Sequence, residues 1–269
     1  MELTDLFSDF AEESQDILNE IHDQKPLILQ LTNEVTMNDC ANITLNWGGL
    51  PVMSGGKEDA AEMVESASAL LINIGTLNDY KLEVMLNAGK KANQLGIPII
   101  LDPVGAGATG YRVKSVNKLL NQLDFTVIKG NRSEIDILAG VDSEIRGVES
   151  LAAGDNYKDS ARQLAKKYST ITVVTGAEDY ITNSKKSINI VRGDKMLGAV
   201  VGTGCMLGSS LAVFAGIINY EVDLFKRIIT AVYLYNLAGE RAARIKHSPA
   251  AFKTEFMDSI YHKSSNLNL

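Results

Sequence analysis

The chain has 269 residues, 45% of them hydrophobic, and a formal net charge of −7. That length supports a large core without a disulfide or structural metal, and scattered basic residues argue against nucleic acid as the main partner. The acidic start Met1-Glu-Leu-Thr-Asp is unlike a signal peptide, and no apolar run approaches the roughly 20 residues of a membrane span, so the expectation is a cytoplasmic protein with no membrane partner.

No Pro/Ser-rich linker or repeat divides the sequence, so residues 1–269 read as one domain. An amphipathic stretch occupies the first 24 residues. Short Ile/Val-rich runs follow, each ending in small or polar residues: Leu27–Leu31, Leu70–Ile74, Ile97–Leu101, Phe125–Ile128 and Ile171–Val174. Runs this short, without alternation, suit strands buried on both faces of a parallel sheet. Helix-like stretches alternate with them: Lys57–Ser68, Tyr80–Leu95, Lys114–Gln122, Glu134–Leu138 and Tyr157–Tyr168. That order predicts right-handed βαβ units with helices covering the sheet. Tyr180–Asn183 and Ser187–Val191 read as a hairpin at one sheet edge. Helical segments follow near 205–218, 222–246 and 249–262, the last entered through Ser248-Pro249 as N-cap and first turn. Ser264–Leu269 are expected to fray.

Ligands of open parallel sheets gather outside the carboxyl ends of the strands. Asn33, Gly75, Asp102, Lys129, Asn131, Thr175 and the turn Gly202-Thr203-Gly204-Cys205 all fall at such ends, so patterning places them on one rim. The turn opens directly into a helix, and its backbone N–H groups, with the helix dipole behind them, suit a phosphate. Cys205 stands where phosphate and an attacking hydroxyl would meet. Asp102 is either a loop-capping carboxylate or, with Glu134, one of two carboxylates near Mg²⁺; Glu134 otherwise simply starts a helix. Lys129 is a solvated surface cation or a phosphate ligand. Thr175-Gly176 is an ordinary strand exit or a close approach to a nucleotide. Three Asn between 33 and 42 exceed what a turn needs. Met53 is core filler or packs its sulfur on a small apolar ring, and Cys40 reads as a buried small hydrophobe. His22, His247 and His262 form no metal spacing, and neither a P-loop nor GxGxxG after the first strand is present.

Taken together these segments resemble hydroxyethylthiazole kinase, a thiamine-salvage family of the ribokinase-like superfamily. The matching pieces are Thr32-Asn33-x-Val35-Thr36-Met37-Asn38-Asp39-Cys40-Ala41-Asn42, Pro51-Val52-Met53, Asn73-Ile74-Gly75-Thr76-Leu77, Leu101 to Thr109, Gly130-Asn131-x-Ser133-Glu134-Ile135, Val174-Thr175-Gly176 and Gly202-Thr203-Gly204-Cys205-Met206. They keep the family's order over residues 26–218. The resemblance implies a ribokinase-like α/β fold, a mostly parallel central sheet flanked by helices with a hairpin at one edge. It implies transfer of the ATP γ-phosphoryl group to the hydroxyl of 5-(2-hydroxyethyl)-4-methylthiazole. It also implies ATP contacts at Lys129 and Thr175, thiazole contacts at Met53 and Gly202, with Asn33 expected beside them, and Mg²⁺ near Asp102 and Glu134. Gly202, Thr203, Gly204 and Cys205 would carry the transfer, in a homotrimer whose sites lie between subunits. Most ribokinase-like kinases carry Asp at the Cys205 position. The chain departs from the family at Lys129, usually Arg, at Val201 and Gln30, and in Trp47-Gly-Gly-Leu50. A hydroxymethylpyrimidine or pyridoxal kinase, or a non-catalytic sensor, are the rival readings; the Thr-Asn-x-Val-Thr-Met-Asn run and Cys205 argue against the former, and intact Asp102 and Glu134 against the latter.

Overall fold

A computed structural model describes residues 2–140, 156–218 and 221–265. Two short N-terminal helices, α1 (Leu3–Leu6) and α2 (Phe10–Gln24), lead into β1 (Leu27–Leu31), α3 (Met37–Asn46), β2 (Leu50–Met53), α4 (Lys57–Met63), β3 (Ala69–Asn73), α5 (Asp79–Leu95), β4 (Ile99–Asp102), α6 (Gly110–Gln122), β5 (Val127–Asn131), α7 (Arg132–Leu138), α8 (Asn156–Tyr168) and β6 (Ile171–Thr175). The hairpin β7 (Asp179–Thr182) and β8 (Ser187–Ile190) follows, then α9 (Thr203–Ala215), α10 (Leu224–Ile245) and α11 (Pro249–Ser265). The eight strands form one sheet in the order β2-β1-β3-β4-β5-β6-β7-β8. The first six are parallel and the hairpin closes one edge antiparallel.

Each face of the sheet carries its own core. Leu71, Ile100 and Val127 face α2, α3, α9, α10 and α11, while Leu70, Ile72, Ile99, Leu101 and Ile128 face α4 through α8. Strand side chains alternate between faces. One pleat beyond Leu71, Ile100 and Val127 therefore come Asn73, Asp102 and Lys129, all on the α9 side. The register pairs Asn73 with Asp102. The fold thus delivers a row of three polar side chains to the carboxyl edge.

Several elements differ from the sequence expectation or add to it. Leu50–Met53 is an edge strand, paired only with β1; Pro51 is tolerated there because an edge needs fewer ladder bonds. The Asn-rich run after β1, for which no element is expected from the sequence, forms the helix α3. Helix α6 starts at Gly110, four residues before the expected Lys114, because the Thr109 side chain caps the amide of Arg112. The expected helix Lys57–Ser68 stops at Met63 and finishes in a 3₁₀ turn, Val64–Ser66. Ser264 is fixed, not frayed: it is buried, with its hydroxyl 2.7 Å from the Asn46 carbonyl. Residues 266–269 lie outside the described residues.

Gly89 in α5 faces Leu123, whose Cδ2 would lie 2.9 Å from an added Cβ. Alanine ordinarily gains up to about 1 kcal/mol over glycine inside a helix, but overpacking a buried neighbour costs about 1–3 kcal/mol. Gly89→Ala should therefore lower the thermal midpoint measured by calorimetry; a rise would show that Leu123 can move aside.

Candidate active site

The rim is built around the start of α9. Gly202 precedes it with φ of 99°, the left-handed region that favours glycine, and an added Cβ would sit 2.8 Å from Thr36 Cγ2. Asp9, Asn78, Thr109, Asn131 and Asp223 cap other helices, but no side chain caps α9. Its first-turn N–H groups, from Thr203 to Cys205, stay available to an anion. The Thr203 hydroxyl is turned away, 2.7 Å from the Leu197 carbonyl, so only its amide faces the rim.

Beneath this turn lies a buried ion pair. Lys129 Nζ donates to Asp102 Oδ1 at 3.0 Å and to the Gly204 carbonyl at 3.0 Å. Asp102 is fully buried and Lys129 only 4% exposed. Lys129 is therefore not a solvated surface cation. Burial opposes its charge, yet Asp102, with Glu134 behind it, more than offsets this and lifts the Lys129 pKa above the ordinary lysine value. Burial pushes the Asp102 carboxyl up, against the pull of Lys129. Of the three ammonium protons, two are engaged, leaving one for a ligand.

From Asp102 the bonding runs sideways. Asn73 Nδ2 donates to Asp102 Oδ2 at 2.7 Å, and Asn73 Oδ1 accepts from Asn33 Nδ2 at 3.1 Å and from the Gly75 amide at 2.9 Å. Asn33 Nδ2 also lies 3.3 Å from Cys205 Sγ, while Asn33 Oδ1 accepts the Thr36 amide at 3.1 Å. Asn33, expected to touch substrate, is buried with both amide protons engaged. Cys205 is partly exposed and Cys40 fully buried; burial pushes the Cys40 thiol up and keeps it protonated.

Glu134 closes the capping box of α7 with Asn131 and also accepts the Gly105 amide at 2.8 Å. Each of its oxygens takes one backbone N–H, Gly105 on Oε1 and Asn131 on Oε2, so each keeps a lone pair. Among the described residues no three or more His, Cys, Asp or Glu cluster as metal ligands.

Two cavities flank the turn along the sheet. One, about 330 Å³, opens at the β2-β1-β3 side and is lined by Met37, Met53, Met85 and Tyr80, with Lys81 at its rim bonded to Glu34 and Thr76. The other, about 380 Å³, lies past β6 between Gly176 and the segment Arg192–Gly198. Asp179 braces it, accepting the Gly176 amide and an N–H of Asn236. Thr175 pairs with Asn131 in register, and its hydroxyl is 3.4 Å from the Gly130 carbonyl. Thr175 and Met53 thus belong to opposite ends of the rim, and neither joins the central network. The sequence reading missed Met37, Met85, Lys81 and the 192–198 segment; only Arg192-Gly-Asp-Lys195, polar and glycine-containing after a hairpin, signalled the last. A larger depression of about 690 Å³ sits at the amino ends of β4 to β6, the far side of the sheet from the turn.

The profile of the hydroxyethylthiazole kinase family matches residues 18–266. The chain belongs to the hydroxyethylthiazole kinase family. Hydroxyethylthiazole kinase of Thermoanaerobacter pseudethanolicus is 46% identical over 250 residues, 92% of this chain and 94% of that protein. The solved hydroxyethylthiazole kinase of Pyrococcus horikoshii OT3 superposes with a TM-score of 0.82 at 33% identity, over 93% of each chain. A ribokinase-like superfamily protein from Enterococcus faecalis V583, at 16% identity and a TM-score of 0.67 over 92% of this chain and 94% of its own, shares the fold. The fold expectation, a ribokinase-like sheet with an edge hairpin, holds. Among the described residues no helix is long and apolar enough to cross a membrane.

Removing one partner of a buried ion pair costs about 3–5 kcal/mol. Lys129→Met should therefore drop the thermal midpoint on the order of 10 °C, and adding Asp102→Asn should restore much of it. A double variant no more stable than the single one would show that the pairing is not what the site needs.

Proposed function

We propose that the chain transfers the terminal phosphoryl group of ATP to the hydroxyl of 5-(2-hydroxyethyl)-4-methylthiazole, giving the thiazole phosphate and ADP, as its family name and relatives imply for thiamine salvage. The observation that carries this reading is the uncapped start of α9, with a thiol on its first turn and a buried ammonium bonded to its Gly204 carbonyl. It lies between two cavities in strand order. The methionine-lined cavity suits a small sulfur-containing ring. The glycine-lined one suits a nucleotide, with Thr175 and Gly176 at its entrance.

Phosphoryl transfer passes through a loose transition state, so positioning and charge stabilisation dominate. The amides of Thr203, Gly204 and Cys205 receive the oxygens of the migrating group. The free Lys129 proton adds a charge-assisted bond to the polyphosphate. Cys205 Sγ receives or orients the proton of the attacking hydroxyl. Mg²⁺ fits this donor set through water: Mg²⁺ sites take one or two carboxylates, waters and substrate phosphates, and Glu134 keeps a lone pair on each oxygen at the rim. Asp102, buried with both oxygens bonded, fits a supporting place behind it. The ion would neutralise charge on the β- and γ-phosphates.

The thiazole cavity abuts β2, the free edge of the sheet, where Leu50 is exposed and Met53 half-buried. The homotrimer with sites between subunits that the family resemblance implies would place a second copy against this edge.

Mass spectrometry of reactions with ATP and hydroxyethylthiazole, hydroxymethylpyrimidine or pyridoxal tests the activity; product from another alcohol alone would reassign the substrate. Cys205→Ala should lower kcat about 100-fold, the low end for a general base, and Cys205→Asp should keep or exceed the starting rate. An unchanged kcat in Cys205→Ala would remove the proton-handling role.

A further inference from the structure

We propose that Asn73 is a positioning residue: its carboxamide, oriented by the Asp102 carboxylate, fixes Asn33 so that an Asn33 N–H rests on Cys205 Sγ. Nothing in the sequence marked Asn73 for a role of its own, and it touches neither cavity.

Donors and acceptors alone fix the orientation of each carboxamide. An ionised carboxylate only accepts hydrogen bonds, and the Lys129 ammonium at 3.0 Å favours ionised Asp102. Asn73 must then turn its NH₂ toward Asp102, 2.7 Å away, and its oxygen toward β1. The Gly75 amide, which can only donate, holds that same oxygen at 2.9 Å. The oxygen so placed requires a donor from Asn33, which supplies Nδ2 at 3.1 Å. The Thr36 amide reaches Asn33 Oδ1 at 3.1 Å and fixes the second carboxamide from its far side. Neither amide can flip without setting two donors or two acceptors face to face. One Asn33 proton is left, and it points at Cys205 Sγ, 3.3 Å away. The sulfur is thereby held as an acceptor. An N–H held on sulfur stabilises negative charge as it develops there, so the network orients and supports the group that faces the acceptor alcohol, using charge two strands distant. Gly75 also packs on this unit, since a Cβ there would lie 2.7 Å from Asn33 Cβ, which keeps Asn33 from swinging aside.

This inference rests on the proposed role of Cys205, and its test separates the two. In the full-length protein, kcat is measured for Asn73→Ala, Cys205→Ala and the double variant. The rate at which iodoacetamide alkylates Cys205 is followed on its own peptide by mass spectrometry, apart from buried Cys40. Losing one hydrogen bond to a charged group corresponds to about 10-fold. Asn73→Ala should lower kcat by about that factor with KM for ATP little changed, should lower it no further when Cys205 is already Ala, and should slow Cys205 alkylation by a similar factor. Equal losses of kcat with and without Cys205, or an unchanged alkylation rate, would overturn the proposal and leave Asn73 a strand-end brace. Should Cys205→Ala keep full kcat, the catalytic role of the thiol falls and the alkylation rate alone decides on Asn73. Asn73→Ser carries the same comparison if Asn73→Ala does not unfold cooperatively.

Discussion

The Lys129–Asp102 pair sits where two demands on the protein conflict. Burying either charge alone is costly, and nothing apolar at that point could do what phosphate chemistry needs. Pairing the two across adjacent strands keeps both in the fold, and their remaining bonds define the site: Lys129 reaches up to the Gly204 carbonyl, and Asp102 reaches across to Asn73. The helix start therefore does not float on a loop; it is tied to the sheet through a charge. Water is excluded beneath it, which strengthens each electrostatic contact a ligand makes above.

From this centre the rim divides along the strand order. On one side Met53 of β2, Met37 of α3 and Tyr80 and Met85 of α5 surround a small cavity; on the other the end of β6 and the segment after β8 enclose a glycine-rich one. The arrangement separates a methionine-lined cavity from a glycine-lined one by the width of two strands and leaves the uncapped amides between them. It also leaves the methionine-lined cavity beside β2, at the edge of the sheet.

Much of this was legible in the sequence because parallel strands with helical crossovers put their carboxyl ends together. Asn33, Asp102, Lys129 and the Gly202–Cys205 turn could be placed on one rim from patterning alone. What could not be read was depth. Lys129 looked like a rim cation because nothing local shows that the register sets it against Asp102, 27 residues earlier in the chain. The role of Asn73 was hidden for the same reason: its partners lie 40 residues before it and 29 after it. Helix α3 was obscured by its three asparagines, which propensity assigns to turns, and β2 by Pro51 and its single neighbour. The segment Arg192–Gly198 becomes a cavity wall through contacts distant in sequence: the Gly193 amide donates to Glu240, and Asn236 packs on Gly193 while donating to Asp179.

The central claim is that the first turn of α9, braced by the buried pair, is where the phosphoryl group moves. A crystal structure with a non-hydrolysable ATP analogue and hydroxyethylthiazole tests it most directly. The account predicts the terminal phosphate oxygens within about 3 Å of the Gly204 and Cys205 amides, the alcohol beside Cys205 Sγ and the ring against Met53. A terminal phosphate seated elsewhere, for instance in the depression at the amino ends of the strands, would contradict it.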